Sequence, residues 1–450
     1  MAEIPSSRTV STKLQRIAEL AKAMPQVALT SLSQHIDVEW LHEACKRTRK
    51  DAAVGVDGQT WREYEVKLGE NLRSLLDRAK SGTYRAPPVR RVHIPKGSGK
   101  ETRPVGIPTL EDKILQRAVA MVIEAVYEQD FLSCSFGFRP GRSAHDALEA
   151  LWKSAMTMHG GWLIEVDIRR FFDTLDHAHL RRILSQRVRD GVLLRLIGKW
   201  LNAGVLEQGS VSYPELGTPQ GGVISPLLAN IYLHEVLDKW IADRVAPRLK
   251  GQVRLIRYAD DFVLLFESEH DARRVFAALP KRFAEHGLTL HPDKTRLMEF
   301  KQPNVWDLEK PKVSFDFLGF THYWGRAQKP YWILKRETAK DRYSRGLLRV
   351  KQWCQNHRHY SLPEQHRALS AKLRGHYAYY GLTGNFRRLK GFRDEVRSLW
   401  RKWLDRRSYH AAMTWERFQR LEIRYPLPRA AVVHSVLGRT ASPLPDEPDA

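Results

Sequence analysis

The sequence has little of what builds extracellular or membrane proteins. Its 450 residues include only three cysteines, Cys45, Cys134 and Cys354, which are far apart and form no CxxC pair. This spacing argues against a disulfide framework and against a cysteine-based zinc site. No apolar run approaches the ~20 residues that span a bilayer, and residues 1–16 lack the apolar segment of a signal peptide. We therefore expect a cytoplasmic protein without a membrane segment.

Acidic residues are scarce relative to basic ones. The chain has 74 Lys and Arg against 51 Asp and Glu, which gives a net charge of +23. Because like charges repel in a compact state, such an excess favours a polyanionic partner. Nucleic acid is the first candidate, since each neutralised phosphate releases condensed counterions. An anionic membrane, or no polyanionic partner at all, are the alternatives.

The hydrophobic patterns predict a mixed α+β chain. In residues 89–107, apolar residues alternate with polar ones on both sides of a Gly/Ser turn, which predicts a β-hairpin. Apolar segments at 161–168 and 254–266, with helical patterns between and after them, favour a split βαβ sheet across 161–323 with helices on one face. Residues 1 to about 30 are polar, and we expect them to be loosely held.

Three aspartates fall at the ends of predicted strands. Asp260 and Asp261 lie between two apolar segments, and Asp167 ends a third. Adjacent carboxylates inside an apolar hairpin are costly unless a cation neutralises them. An ordinary Asp-Asp turn would look the same by itself. Together with Asp167, however, the pair predicts two-metal chemistry, in which the ions activate an attacking hydroxyl and stabilise a leaving oxygen.

The succession of motifs resembles reverse transcriptases of the bacterial group II intron lineage. Asp167 with Phe171 and Phe172, the run GTPQGGVISP at 217–226 and YADD at 258–261 resemble successive palm motifs in the same order and spacing. Three further segments resemble that lineage, namely residues 55–58, 135–143 and 317–320. The resemblance covers about residues 35–435.

The resemblance implies an RNA-directed DNA polymerase with two Mg²⁺ ions as cofactors. It implies that Asp167, Asp260 and Asp261 are catalytic, and that these three with Ile168 hold the metal ions. Phe172 would be a steric gate whose ring excludes a ribose 2′-OH, the group that distinguishes the two sugars. Plain core packing is the alternative for Phe172.

The resemblance also implies contacts to the incoming dNTP. Lys96 and Arg103 would reach the triphosphate from the predicted hairpin, although a solvated charged turn is the alternative for both. Gln220 would line the nucleotide pocket, where the following glycines permit close backbone approach. Lys294 is a weaker candidate near the leaving phosphate.

The last third of the chain is strongly basic. Residues 326–407 contain 22 Lys and Arg against 6 Asp and Glu, with aromatics interleaved. Such helices suit a groove that follows a phosphate backbone, although part of the aromatics would be helical core. The resemblance implies a thumb, or maturase, region that binds intron RNA and the template–primer duplex. Its implied nucleic-acid contacts are Arg374, His376, Tyr379, Arg387, Arg388 and Lys390.

The resemblance implies a right-hand polymerase. The expected parts are a flexible N-terminus at 1–34, fingers at 35–160, a palm at 161–325, a helical thumb at 326–410, a DNA-binding segment at 411–440 and a disordered tail at 441–450. Many relatives carry an HNH endonuclease module with paired cysteines. We find none here and expect no cleavage of the second DNA strand.

The predicted function is synthesis of DNA on an intron RNA template, combined with assistance to splicing and with retrohoming. Its partners would be group II intron RNA, target DNA and dNTPs, and the oligomeric state is not indicated. A stand-alone defence-type or retron-like reverse transcriptase is one alternative, although the Val-Thr-Gly motif usual in retron enzymes is absent. An RNA-binding splicing maturase with secondary polymerase activity is the other. The intact Asp167, Asp260 and Asp261 argue against loss of polymerase activity.

Overall fold

The computed structural model describes residues 7–95, 102–207, 209–213, 217, 221–307, 309, 311–327, 331–407 and 412–435. Its α-helices are α1 (Ser7–Ala23), α2 (Val38–Lys46), α3 (Trp61–Glu65), α4 (Leu68–Ser81), α5 (Leu110–Tyr127), α6 (Ala144–Thr157), α7 (Phe171–Thr174), α8 (His177–Arg187), α9 (Gly191–Leu201), α10 (Ser225–Leu233), α11 (Glu269–Ala284), α12 (Lys340–Asn356), α13 (Leu362–Tyr380), α14 (Phe386–Asp405) and α15 (Trp415–Arg424).

The strands are β1 (Val89–Pro95), β2 (Thr102–Ile107), β3 (Trp162–Val166), β4 (Val205–Glu207), β5 (Ser210–Ser212), β6 (Val253–Tyr258), β7 (Asp261–Phe266), β8 (Arg296–Glu299), β9 (Ser314–Phe317), β10 (Phe320–Arg326) and β11 (Trp332–Thr338). The predicted mixture of helices and strands is confirmed. No described helix is both long and apolar enough to cross a bilayer.

The chain divides into two compact units. Unit 1 comprises Met1–Ala147 and Trp162–Met298, and unit 2 comprises Leu148–Gly161 and Glu299–Ala450. Unit 2 is therefore assembled from the C-terminal third of the chain together with a short segment taken from its middle.

The central sheet of unit 1 has the strand order β6-β7-β3-β8. Strand β3 runs antiparallel to β7, with Trp162 opposite Phe266 and Val166 opposite Phe262. All five residues from Phe262 to Phe266 are buried. A strand covered on both faces reads as a continuous apolar run rather than an alternating one, as β7 does.

A second sheet of unit 1 contains the predicted hairpin. Strands β1 and β2 pair antiparallel, from Arg90 opposite Ile107 to Pro95 opposite Thr102, so that this prediction is confirmed. The strand order β2-β1-β4-β5 extends the hairpin by a second, shorter one.

The expectation of a loosely held N-terminal segment is wrong for its described part. Helix α1 packs against α5, and Val10, Ile17 and Ala21 are 3%, 1% and 0% exposed. These residues lie seven and four positions apart, a helical spacing that places them on one face. The many polar residues between them conceal this pattern in the sequence.

The predicted sheet across 161–323 also needs correction. Its fourth strand is β8, whereas residues 314–326 form β9 and β10 of a separate sheet in unit 2, with order β11-β10-β9. The hairpin between β9 and β10 turns at Leu318 and Gly319, both of which have positive φ. Because β10 then pairs along its whole length with β11, these strands complete their own sheet.

The helical part of unit 2 has its own core. Helices α13 and α14 contribute buried residues at helical spacing, namely Leu369, Leu373, Tyr377, Leu389, Phe392, Val396 and Trp400. Part of the aromatics in this basic region are therefore core residues, as one reading of the sequence held.

Candidate active site

Two strand ends of unit 1 bring the predicted aspartates together. The register of β3 against β7 places Val166 opposite Phe262, so Asp167 continues it opposite Asp261. Asp260 lies in the two-residue turn between β6 and β7, where Tyr258 pairs with Asp261. Ala259, the first turn residue, has a φ of 56°. Tight hairpin turns of this kind require a positive φ at that position, and the turn lies at the same end of the sheet as Asp167, which follows β3.

The surroundings of Asp260 disfavour its ionised form. Burial raises the pKa of Asp260, and the negative charge of Asp167 raises it further. Arg103 and Arg257 act in the opposite direction. Lys294 donates a hydrogen bond of 2.7 Å to Asp167 Oδ2. Two mutually repelling carboxylates beside one ammonium group form a site that favours additional positive charge.

These residues fit a divalent cation. Among the described residues, no three His, Cys, Asp or Glu side chains form a complete metal cage. Mg²⁺ commonly binds through one or two carboxylates together with substrate phosphates and water, which is what Asp167 and Asp260 offer. The Lys294 ammonium already supplies one positive charge beside Asp167. Ile168 has a buried hydrocarbon side chain without a ligand atom, so only its main-chain carbonyl is chemically suited to bind the cation.

Phe172 lies just beyond Asp167, at the start of α7. Its ring is half-buried and makes an edge contact with the buried Phe171, with centroids 5.4 Å apart. A Cβ added to Gly217 would come within 2.8 Å of the Phe172 carbonyl oxygen. The glycine that opens the GTPQGG motif is thus in close contact with the backbone of the proposed gate.

The predicted nucleotide contacts are only partly within the described residues. Lys96 and Gln220 lie outside them. Arg103 is exposed on β2, close enough to Asp260 to lower the pKa of its carboxyl group. A Cβ on Gly221 would come within 2.4 Å of the Gly106 carbonyl oxygen, so the backbone of Gly221 lies directly against β2.

Sequence reasoning missed a buried polar network behind the turn between β6 and β7 that holds Asp260. Arg257 is 0% exposed and donates to Asp238 through Nε and Nη2, at 2.7 and 2.5 Å. Its Nη1 donates to Asn230 Oδ1 at 2.9 Å and to the Ala259 carbonyl at 3.1 Å. Burial alone would raise the pKa of Asp238, but Arg257 holds it below its usual value. The available signal was an arginine inside an apolar strand and an asparagine inside an apolar helix.

Gln116 is a second residue that the sequence did not reveal. It is 4% exposed on α5, and its Oε1 accepts hydrogen bonds from Val223 N at 2.8 Å and Ile224 N at 3.4 Å. A buried side chain on α5 therefore holds the end of the PQGG motif. Its only signal was a polar residue within an otherwise apolar stripe.

The predicted nucleic-acid residues of unit 2 have different environments. Arg374, Arg387 and Lys390 are exposed. Arg388 donates a 2.9 Å hydrogen bond to Glu337. The remaining two residues are largely inside unit 2. The His376 ring stacks on Phe392 with centroids 3.8 Å apart, and Tyr379 donates to the Leu318 carbonyl at 2.9 Å.

Comparison with known proteins identifies the family. Residues 94–322, about half of the chain, match the family described as reverse transcriptase (RNA-dependent DNA polymerase). The chain belongs to the reverse transcriptase family. The matched range contains Asp167, Asp260 and Asp261 as well as both strands that carry them.

The chain is also similar to several named proteins. The chain is 37% identical to protein YkfC of Escherichia coli K12 over 289 residues, which cover 57% of this chain and 75% of YkfC. It is 44% identical to the group II intron-encoded protein LtrA of Lactococcus lactis over 174 residues, 38% of this chain and 28% of LtrA. It is 26% identical to nuclear intron maturase 2 of Arabidopsis thaliana over 230 residues, 42% of this chain and 29% of that protein.

The predicted resemblance to group II intron reverse transcriptases and the predicted enzyme class, an RNA-directed DNA polymerase, are confirmed by these matches. Enzymes of this family generally use divalent metal ions, which agrees with the carboxylates described above. The chain covers only about a quarter of the length of LtrA.

Proposed function

We propose that this protein copies a group II intron RNA into DNA, and that it also binds that RNA to assist splicing. The observation that carries the proposal is the meeting of Asp167 with the Asp260–Asp261 turn at one end of the central sheet of unit 1. Carboxylates brought together at one end of a sheet serve no packing purpose, because each raises the energy of the other and so favours a bound cation.

Asp167 and Asp260 would hold two Mg²⁺ ions, with Asp261 and the Ile168 carbonyl assisting. When bound, the ions would lower the pKa of the attacking 3′-hydroxyl and neutralise charge on the leaving oxygen. The protein's own side chains have separate tasks. Arg103 and Lys294 would bind phosphate oxygens, and Lys96 and Gln220 would complete the nucleotide pocket. The Phe172 ring would exclude a 2′-OH from the sugar position.

The parts of a right-hand polymerase can be assigned on this basis. We assign the palm to the sheet β6-β7-β3-β8 with α10 and α11, and the fingers to the segment before β3 that contains the β1–β2 hairpin. Helices α12–α14 would form the thumb, and residues 412–435 the DNA-binding segment. The support is the chain order of the elements and the position of the aspartates within it.

RNA binding would rest on the exposed cations of unit 2. On α14, Arg387 and Lys390 are exposed, while Leu389 between them is fully buried in the helical core. This arrangement anchors one face of the helix in the core and leaves basic side chains available to a phosphate backbone. Target DNA would be bound by the same kind of contact.

Primer extension on an RNA template tests the proposal. Wild-type protein, Asp260→Ala and the exposed control Asp243→Ala are each given an RNA template, a DNA primer, dNTPs and increasing Mg²⁺. We expect extension by wild type and by the control, and none by Asp260→Ala, because the metal ions lose their charge anchor. Full extension by Asp260→Ala would refute the assignment of the site.

A second function, splicing assistance without DNA synthesis, is supported by the charge of unit 2 alone. The same variant separates the two. Asp260→Ala should still promote splicing of the intron RNA, since binding would depend on exposed cations and not on the aspartates. Loss of splicing in a folded Asp260→Ala protein would mean that the two functions share this site.

A further inference from the structure

The segment of residues 135–143, here the Phe138 loop, borders the turn of Ala259 and Asp260 between β6 and β7, here the catalytic turn. It begins as an extra edge of the central sheet, because Ser135 forms a parallel bridge with Arg257 of β6. Phe136 N donates to the Arg257 carbonyl at 2.9 Å, and Arg257 N donates to the Cys134 carbonyl at 2.8 Å. The loop therefore lies on the side of β6 that faces away from β7 and β3.

Gly137 brings this loop into direct contact with the catalytic turn. A Cβ at this position would come within 2.4 Å of Ala259 N and 2.9 Å of the Tyr258 carbonyl carbon, which no side chain could tolerate without movement. The Gly137 carbonyl accepts a 2.6 Å hydrogen bond from Asn230 Nδ2. Asn230 also accepts from Arg257, so one buried network holds both the loop and the turn.

Phe138, the next residue, combines two unfavourable features. Its φ is 54°, in the left-handed region that large side chains rarely adopt, and the residue is 58% exposed to solvent. The ring centroid lies 6.4 Å from that of Tyr258, the residue before the turn. Neither the strain nor the exposure benefits folding. Strained residues that the surrounding structure holds in place concentrate at sites of function.

The strand order defines which side of the carboxylates Phe138 occupies. Phe172 comes after β3 in the chain. The Phe138 loop runs along the edge of β6 that faces away from β7, and β7 lies between β6 and β3. At ~4.8 Å per strand, the two positions are separated by on the order of 10 Å or more across the turn. Chain extension joins two nucleotides over the carboxylates. If the incoming nucleotide lies on the Phe172 side, the nucleotide with the attacking hydroxyl lies on the Phe138 side.

We propose that Phe138, together with Tyr258, forms the surface on which the base at the 3′ end of the primer stacks. This inference rests on the proposed polymerase function and adds the residue that orients the attacking end. An exposed aromatic ring is suited to this task, because every base has a flat face and stacking does not depend on sequence. The same loop carries a positive charge on the exposed Arg142, whose guanidinium lies over the Phe136 ring at 5.4 Å from its centroid.

The test uses full-length protein and compares Phe138→Asn with wild type in primer extension. Asparagine accepts a left-handed φ but lacks the ring. The Michaelis constant for primer–template should rise about tenfold or more, as the loss of one base stack predicts. The melting temperature should stay equal or rise, because strain is relieved. Phe138→Trp, which keeps a flat ring, should bind like wild type. Val66→Asn, which changes an 81% exposed apolar residue of the same unit, should change neither quantity.

A primer with an abasic 3′ nucleotide identifies the stacked base. The Michaelis constant of wild type for this primer should rise by about the same factor. Phe138→Asn should have the same Michaelis constant for the abasic and the normal primer. A rise in the Michaelis constant for dNTP alone would instead mean that the ring contacts the incoming base, and would overturn the proposal. So would unchanged constants, or a Phe138→Asn protein that melts earlier, since Phe138 would then be structural. A wild type inactive on every RNA template would refute the polymerase function itself, before any variant is compared.

Discussion

Unit 1 and unit 2 handle charge in opposite ways. Unit 1 has 43 basic and 35 acidic residues in 284, whereas unit 2 has 31 basic and 16 acidic residues in 166. Unit 2 thus carries +15 of the total +23 in little more than a third of the chain. Unit 1 contains buried arginines that are paired with acids, as Arg257 is with Asp238 and Arg187 with Asp130.

The difference indicates two uses of the same residue type. A buried arginine with its hydrogen bonds satisfied holds backbone segments at one geometry, as chemistry requires. An exposed cation is screened by salt within about 8–10 Å and attracts a polyanion without defining its position. The buried arginines of unit 1 therefore fix the positions of backbone segments, whereas the exposed cations of unit 2 attract a polyanion.

The largest effect should come from breaking the buried pair. Asp238→Ala leaves Arg257 buried without its partner, which should lower the free energy of unfolding by about 3–5 kcal/mol. The matched change in unit 2 is Glu337→Ala, which releases Arg388 from a pair that is 39% and 33% exposed. That change should lower stability by about 1 kcal/mol or less. Urea unfolding of both variants gives the comparison, and equal losses would contradict it.

Asp112 is a buried acid of unit 1 that accepts hydrogen bonds from the neutral side chains of Tyr84 and Trp200. Burial raises its pKa to about 6, from 3.8, although these hydrogen bonds act in the opposite direction. Because the pKa of Asp112 is raised in the folded state, protonation of Asp112 stabilises the fold at low pH. This contribution is lost as the pH rises through about 6. Relative to Asp112→Asn, wild type should lose about 2 kcal/mol of stability between pH 4.5 and 7.5. Unfolding of both proteins across this range measures it, and a constant difference would show a normal pKa.

Gly137→Ala tests whether the geometry of the turn limits the rate. The added Cβ must push Ala259, and a shift of about 1 Å in a catalytic group lowers turnover about 100-fold. We expect kcat for primer extension to fall by this order. Gly191→Ala is the control, because a Cβ there meets no atom within 4 Å. Equal turnover by both variants would show that the turn tolerates displacement.

Phe172→Val tests the gate. A smaller side chain leaves room for a 2′-OH, so the preference for dNTP over rNTP should fall about tenfold, the effect of enlarging a pocket by a few methylenes. The measurement is the ratio of kcat/KM for dTTP and UTP on one template. An unchanged ratio in a folded variant would make Phe172 a core residue.

The smallest effect should come from the exposed cations. Arg387→Gln with Lys390→Gln should weaken RNA binding and reduce the log–log salt slope by about one for each phosphate that is no longer neutralised. Arg388 is better left intact, because it pairs with Glu337. Filter binding at several salt concentrations gives the slope. A slope that stays at the wild-type value would place the RNA elsewhere on unit 2.

Local patterns carried most of what the sequence could predict. The β1–β2 hairpin and the strand–turn–strand around Asp260 follow from residues adjacent in the chain, where alternation and turn chemistry act. Helix α1 was missed because polar residues dilute its apolar face. The separate sheet of unit 2 was missed because strand pairing over long separations leaves no local mark.

The network behind the catalytic turn could not be predicted from the sequence for a related reason. Arg257, Asp238, Asn230 and Gly137 span 120 positions of the chain, and their mutual satisfaction exists only after folding. From sequence, a buried arginine, aspartate and asparagine each read as surface residues, which they usually are. The same holds for the stacking of the His376 ring on Phe392, which joins two helices of unit 2 and leaves no local mark in the sequence.

The segment Leu148–Gly161 makes the order of synthesis relevant to unit 2. The Trp152 indole donates to the Leu334 carbonyl 182 positions later, and Arg336 Nη1 donates to the Leu148 carbonyl across 188 positions. At ~5–20 residues per second, a ribosome needs roughly 10–40 s to supply these partners. During that interval the segment has been synthesised but the rest of unit 2 has not. The whole of unit 1 is completed in the meantime. Translation speed between the two segments should therefore affect the yield of folded protein, and a fragment that begins at Glu299 would lack part of its own unit.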